Sequence, residues 1–308
     1  MNNYSYDAIM LYNARRSPST VHSSNTALYN YYQRRLFNKV LSVFKFEGLP
    51  ETWAENYFEQ CLFGIGFLAV FDAGIYGVIP QHGTLGGEWN VFYQPRKIIV
   101  ANPVLRDVHD LEIGRDCELL QISPDYTGVL DIVSFYADMM ALSAEAAALN
   151  LVNSKLAYVF RVQNKAQAES FKKMFDQINA GNPAVVIDKD LMQDDGSESW
   201  STFTQNLSQN YIAGNILDDM KTWEDKFNTE IGIPNSNTQK KERLITDEVN
   251  SNNADTYARS DLWLAWIRSG LDRVNKRYGL NISVDYRQKP LTEAQNAPQE
   301  VSDDLTIY

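Results

Sequence analysis

Residues 128–153 read GVLDIVSFYADMMALSAEAAALNLVN, and this stretch decides the architecture. After Gly128 it contains neither glycine nor proline, so nothing interrupts a helix. At 1.5 Å per residue such a helix is a rod roughly 39 Å long. One face, Ala137, Ala141, Ala144 and Ala148, carries only methyl groups, which lets another helix approach closely along its length. A second stripe, Phe135, Met139, Leu142, Ala146 and Leu149, offers further apolar side chains. Two contact faces on one helix require two neighbours. Its most apolar part, Met139 to Val152, includes Glu145 and reads as too short to cross a bilayer.

Downstream, Tyr158–Val162, a helix near Gln167–Ile178 and Ala184–Ile187 read as a strand–helix–strand unit. An acidic loop with Asp188, Asp190, Asp194, Asp195 and Glu198 follows. Ser201 or Thr204 is positioned to cap a second long helix running to about Ile231, with Ile216, Met220, Trp223, Phe227 and Ile231 at helical spacing. Gly214 inside it costs about 1 kcal/mol relative to alanine and reads as a bend. Its polar positions include Asp218, Asp219, Glu224, Asp225 and Glu230. Gly232 and Pro234 stop this helix, and a polar segment from Pro234 to Ala254 reads as a long loop, a kind more often functional or disordered than inert. A last amphipathic helix is expected from Asp255 to about Arg277, with Trp263, Trp266, Ile267, Leu271 and Val274 on one face. Gly279 ends it, Ile282–Tyr286 reads as a strand, and the tail from Lys289 is acidic and contains proline.

Upstream, residues 1–23 are polar without a sustained period and read as an arm. Ser24, Asn25 and Thr26 offer caps for a helix to about Phe44, whose face is Leu28, Tyr32, Leu36, Val40 and Val43. A short helix, roughly Glu51–Cys61, follows Pro50. Between Phe63 and Pro124 the runs shorten: Gly66–Asp72, Tyr76–Pro80, Val91–Tyr93 and Lys97–Ala101 are rich in Val, Ile and Phe and punctuated by glycine or proline. This is the texture of a small antiparallel barrel or sandwich. The fold class is therefore α+β.

Composition narrows the function. A hydrophobic share of 44% over 308 residues supports one large or two modest cores rather than a disordered chain. Met1 to Tyr12 is polar and aromatic, without the charged-then-apolar pattern of a secretory leader. Cys61 and Cys117 read as reduced structural thiols of a protein made in a cytoplasm. The net charge of −11 is uneven, about +5 over residues 1–45 and about −16 over the rest. An acidic body argues against a conventional DNA-gripping surface, yet suits a wall that DNA must pass without sticking.

No Gly-Lys-Ser/Thr phosphate loop, Cys-x-x-Cys pair or ligand-spaced histidines occur; the histidines are His22, His82 and His109. Gly64-Ile65-Gly66 and Gly83-Thr84-Leu85-Gly86-Gly87 read as turn geometry. Asp188, Asp190, Asp194 and Asp195 form a solvated acidic loop; their alternative is a divalent-cation site in a metal-dependent nuclease or transferase. No catalytic residue, metal or cofactor is assigned. Lys240-Lys241-Glu242-Arg243 is either a solubilising cluster or a basic loop making sequence-blind phosphate contacts.

That cluster, with Thr246-Asp247-Glu248-Val249 and Ser251-Asn252, resembles the corresponding stretch of the upper collar, or head–tail connector, proteins of small phi-29-like podoviruses. Gly232-Ile233 and Asn235 before it fit the same family, as does Tyr278-Gly279-Leu280-Asn281 leading to Val284. Collinear support comes from Leu49-Pro50, Phe63-Gly64, Gly66-Phe67, Gly83 with Leu85, Val91-Phe92, Pro103-Val104 and Asn182-x-Ala184-Val185. The resemblance spans about residues 25–287.

It implies a mainly helical portal subunit, twelve copies of which close a ring at the portal vertex between head and tail. Residues 1–23 would be an arm, 24–125 a wing with helices and a small β-barrel, 126–155 the first stem helix and 156–200 an α/β clip. Residues 201–233 would be the second stem helix, 234–254 a channel loop, 255–287 a wing helix and strand, and 288–308 a tail. Double-stranded DNA would pass Asp218, Asp219, Asp225 and Glu230 on the channel wall and meet Lys240, Lys241 and Arg243 on the loop. Ala137, Ala141, Ala144 and Ala148 would pack the stem or neighbouring subunits. Implied partners are the capsid and scaffold proteins, the packaging ATPase, and the tail or lower collar protein, with no membrane. Another collar or tail-ring component is the alternative within the class. A packaging RNA is not carried over: relatives can bear a dense basic N-terminal cluster, and Met1 to Met10 has none, leaving only Arg15 and Arg16. Lysine rings of relatives align near Asn206 and Asn215 and are likewise not carried over.

Overall fold

A computed structural model describes residues 24–105, 108–153, 158–162, 165–179, 200–204, 211–233 and 246–287. The chain forms two compact units, Met1–Ala141 with Thr222–Tyr308, and Leu142–Lys221.

In the first unit, helix α1 (Thr26–Leu41) starts where expected, because the Asn25 side chain accepts a hydrogen bond from the backbone N–H of Leu28. It ends three residues early. Phe44 joins a strand, β1 (Phe44–Glu47), whose alternating Phe-Lys-Phe-Glu buries Phe44 and Phe46 and exposes Lys45 and Glu47. Helix α2 (Glu55–Gly64) sits about three residues later than the sequence suggested and carries Phe58, Leu62 and Phe63 into the core.

The β-rich segment resolves into two three-stranded antiparallel sheets. Strands β2 (Phe67–Asp72), β3 (Val78–Gln81) and β7 (Glu118–Gln121) pair in the order β3-β2-β7. Strands β4 (Thr84–Trp89), β5 (Pro95–Ala101) and β6 (Val108–Glu112) pair in the order β4-β5-β6. The sheets share one core, in which Phe67, Ala69 and Phe71 meet Ile98, Val100, Cys117 and Leu119. Two expectations are corrected here. The Gly83–Gly87 run is mostly strand, the start of β4, with an irregular register between Gly86 and Trp89. Val91–Tyr93 is not strand but the turn joining β4 to β5, closed by the Asn90 side chain.

Helix α3 (Leu130–Asn153) is the uninterrupted rod foreseen. Leu130–Val152 is long and apolar enough to cross a membrane by length and composition, correcting the inference drawn from the shorter Met139–Val152. Val133, Tyr136, Ala137, Met140 and Ala141 are instead buried within the protein, together with Ser134 and Asp138. In the second unit, β8 (Tyr158–Val162) precedes α4 (Lys165–Asn179) and pairs antiparallel with β9 (Trp200–Thr204). Ala184–Ile187, the strand expected there, lies outside the described residues. Trp200–Thr204 was expected to lead a helix; its aromatic and β-branched residues favour the ladder with β8. Helix α5 (Ala213–Glu230) accordingly begins later, with Gly214 in its first turn rather than its interior.

Helix α6 (Thr246–Tyr278) is longer than expected and takes in residues 246–254 of the anticipated loop. From Thr246 to Ser269 there is no glycine or proline, and Asp247 and Glu248 fall in the first turn, where carboxylates favour the positive end of the helix dipole. Ser260, Trp263, Leu264, Ile267, Leu271 and Val274 are buried. After Gly279, β10 (Ser283–Tyr286) pairs antiparallel with β1, Phe44 opposite Tyr286. Their rings lie 5.3 Å apart, and Phe44 stacks on Phe63 at 5.8 Å, joining chain start and end in one aromatic cluster.

Gly66 anchors the entrance to α3. Its φ is +105°, and a β-carbon there would stand 2.3 Å from the Thr127 carbonyl carbon. Its carbonyl accepts from Ile122 N–H at 3.0 Å, while Val129 N–H donates to Phe63 O at 2.9 Å. Gly66→Ala should therefore destabilise the fold by at least about 2 kcal/mol, because both the torsion and the space oppose a side chain. Equilibrium denaturation of the two proteins measures this directly.

Candidate functional site

Helices α3 and α5 meet through aromatic rings. Tyr136 lies 5.4 Å from Phe227 and 6.3 Å from Trp223, and Phe135 lies 6.2 Å from Trp223, all edge-on. The Tyr136 hydroxyl is hydrogen-bonded to Glu230, and burial followed by that carboxylate raises its pKa. Glu230 is also ion-paired with Arg259 of α6. Glu224, one turn and a half earlier on α5, accepts from Lys39 at 2.5 Å and Arg35 at 2.8 Å, both on α1. Lys39 further donates to Asn228 Oδ1 at 3.1 Å.

This sorts the acidic residues of α5. Asp218 and Asp219 are exposed. Asp225 is half-buried, and its backbone carbonyl accepts from Thr229 Oγ1 at 3.0 Å. Glu224 and Glu230 are engaged in tying α5 to α1 and α6. Of the alanines on α3, Ala137 and Ala141 are fully buried, Ala144 is half-buried and Ala148 exposed. Beyond Ala148 the apolar Leu149, Leu151 and Val152 are exposed too. Asn215 is exposed near the start of α5. Lys240, Lys241 and Arg243 lie outside the described residues, as do Asp188, Asp190, Asp194, Asp195, Arg15, Arg16 and Asn206.

Sequence reading missed the basic partners. Arg35 and Lys39 lie 189 and 185 residues from Glu224, a separation with no local signature, although both fall on the polar side of α1. Tyr29, on the same helix, has its hydroxyl pushed up to about 12 by burial and then by the charge of Asp138 on α3. Among the described residues no group of three or more His, Cys, Asp or Glu side chains is arranged to hold a metal ion. Cys61 and Cys117 are unbridged and buried, and burial pushes their thiols up to about 11 and about 12.

The chain is thus an α+β subunit with long packed helices and small sheets. Its sequence matches the Phage Connector (GP10) family over residues 11–290. The chain belongs to that family: it is a head–tail connector, or portal protein, found at the portal vertex of the virion. Membership implies a homo-oligomeric ring associated with capsid and tail. A similar solved chain occurs in the portal and tail of native bacteriophage P68, with 18% identity, a TM-score of 0.45, and coverage of 96% of this chain and 94% of that one.

The Glu224 cluster has a defined pH dependence. Burial opposes its ionisation, but the hydrogen bond and charge of Lys39, then those of Arg35, outweigh it and hold the carboxyl below its ordinary value. Its contribution is complete above the free glutamate value of about 4.3 and is lost as pH falls through the lower folded value. Glu224→Gln should cost about 1 kcal/mol at neutral pH, the partial exposure of all three side chains limiting the figure. The deficit should shrink progressively as pH falls below that free value, as measured by denaturation at neutral and at acidic pH.

Proposed function

We propose that twelve copies of this chain close around an axial channel that conducts double-stranded DNA into the capsid during packaging and out during ejection. The ring docks the capsid shell, then the packaging ATPase, and finally the tail; it is not an enzyme, and the motor supplies the energy. Family membership over residues 11–290 carries this reading. Support for a low-friction wall comes from α5, where Asp218 and Asp219 remain exposed after Glu224 and Glu230 have taken structural partners. Like charge keeps a polyanion from settling on such a surface. Asp225 and Glu230 contribute less to the wall in this reading, being half-buried.

Stem packing divides along α3. Ala137 and Ala141 serve contacts inside the subunit, since both are fully buried. Ala144 and Ala148, with exposed Leu149 and Val152, serve contacts between copies. Lys240, Lys241 and Arg243 ring the channel and hold the DNA backbone by salt-sensitive contacts when packaged DNA must not slip back.

Two measurements separate wall from clamp. Asp218→Lys with Asp219→Lys should strengthen retention of DNA by purified rings at low salt, the gain fading as salt rises; unchanged retention would remove both residues from the wall. Replacing Lys240, Lys241 and Arg243 together by alanine should leave rings and empty capsids normal and sharply lower the ratio of filled to empty particles on a density gradient. Filling at the wild-type level would show that these residues do not clamp DNA.

A further inference from the structure

A subunit of a closed ring must present two different surfaces that fit one another, because a heterologous contact repeats around the axis. One hairpin of this chain carries a knob at one end and a hollow at the other. The knob is the turn between β4 and β5. Asn90 Oδ1 accepts from the N–H groups of Phe92 and Gln94 at 2.9 and 3.0 Å, and Asn90 Nδ2 donates to Gln94 Oε1 at 2.9 Å. The backbone adds Asn90 N–H to Gln94 O and Tyr93 N–H to Asn90 O, both 3.0 Å, with Tyr93 held at φ +56°. So stiff a turn is not needed to reverse a chain. It displays Val91, Phe92 and Tyr93 at 85%, 77% and 85% exposure, with Trp89 at 59%. A single exposed apolar side chain is ordinary; four within five residues form a patch of the kind that marks a protein contact.

The hollow lies at the open end of the same hairpin. Gln81 precedes β4 and Asn102 follows β5, their side chains joined by a 2.9 Å hydrogen bond. Around them Ile75, Tyr76, Val104 and Leu105 help to line a groove of about 440 Å³. Ile75 is 93% exposed and Val104 66%, so its rim is as bare as the knob. The five steps along β4 from Thr84 to Trp89 advance the strand by roughly 17 Å, so a subunit's knob cannot fill its own groove.

We propose that the hairpin tip of one copy, led by Phe92, seats in the Ile75–Val104 groove of the next copy, forming a repeating contact of the ring. Phe92 meets the apolar rim, and the Gln81 and Asn102 amides offer the Tyr93 hydroxyl a polar partner. The area fits a subunit contact: aromatic side chains bury about 150–250 Å² each, so Trp89, Phe92 and Tyr93 supply a large part of the roughly 800 Å² that one partner gives to a stable interface. The proposal rests on the ring reading above.

Cysteine trapping tests it, since Cys61 and Cys117 are buried and stay silent. Oxidation of a V91C/V104C double variant should give a ladder of covalent multimers ending at the closed ring, and each single variant should give none. A disulfide needs α-carbons within about 7 Å, so a ladder reports the seated geometry. Phe92→Asp and Ile75→Asp should each raise the protein concentration needed for ring formation about tenfold or more, with unchanged far-ultraviolet circular dichroism. Intact rings by sedimentation with no ladder would overturn the docking while leaving the ring reading standing. Absence of rings in the wild-type protein would overturn both. Cross-linking of V91C to a different virion protein in assembled capsids would also overturn self-docking and make the tip a shell contact.

Discussion

The long helix α3 leaves the β-rich region through a passage with no room for side chains. At its mouth a β-carbon on Gly66 would meet the Thr127–Gly128 peptide, and one on Gly128 would stand 2.2 Å from Gly64 O. Backbone therefore touches backbone, and the hydrogen bonds Val129 N–H to Phe63 O and Ile122 N–H to Gly66 O lock the direction in which the helix departs. Much follows from that direction. It sets which residues of α3 face inward, hence that Tyr136 meets Trp223 and Phe227, and that Asp138 comes near Tyr29. A connector needs its long helix aimed consistently in every copy, because an angular error in one subunit repeats at every interface of a closed ring.

Electrostatics then divides one helix between two tasks. Glu224 and Glu230 of α5 are ion-paired with Arg35, Lys39 and Arg259, whereas Asp218 and Asp219 are exposed. Basic residues of α1 thus offset part of the acidic body, while Asp218 and Asp219 add exposed negative charge toward the other end of the helix. The same division explains why total charge is a poor guide: what matters for a passing polyanion is which carboxylates are exposed.

Several elements were legible because their signals are local. The uninterrupted run from Gly128, the Asn25 cap and the Trp263–Val274 stripe each dictate a helix from neighbouring residues alone. Other features were set by partners distant in sequence. Trp200–Thr204 is strand because Tyr158–Val162 pairs with it, and Phe44–Glu47 is strand because Ser283–Tyr286 does. Val91–Tyr93 has strand-like composition, yet Asn90 closes a turn there, so its apolar character reflects exposure rather than a ladder. For the candidate site, the acids of α5 could be named from helical spacing, but not which of them the distant Arg35, Lys39 and Arg259 would engage.

The two cysteines carry a last consequence. Both are buried among apolar side chains, with thiols raised to about 11 and about 12, so at physiological pH they are almost wholly protonated and nearly inert as nucleophiles. A virion component leaves a reducing cell interior for an oxidising exterior and waits there before the next infection. This subunit takes no part in that chemical change: it neither gains a cross-link on release nor has one to break on arrival. The contacts this subunit makes with its neighbours are then built from packing and charge rather than from its own thiols, and need no redox signal at those thiols to open.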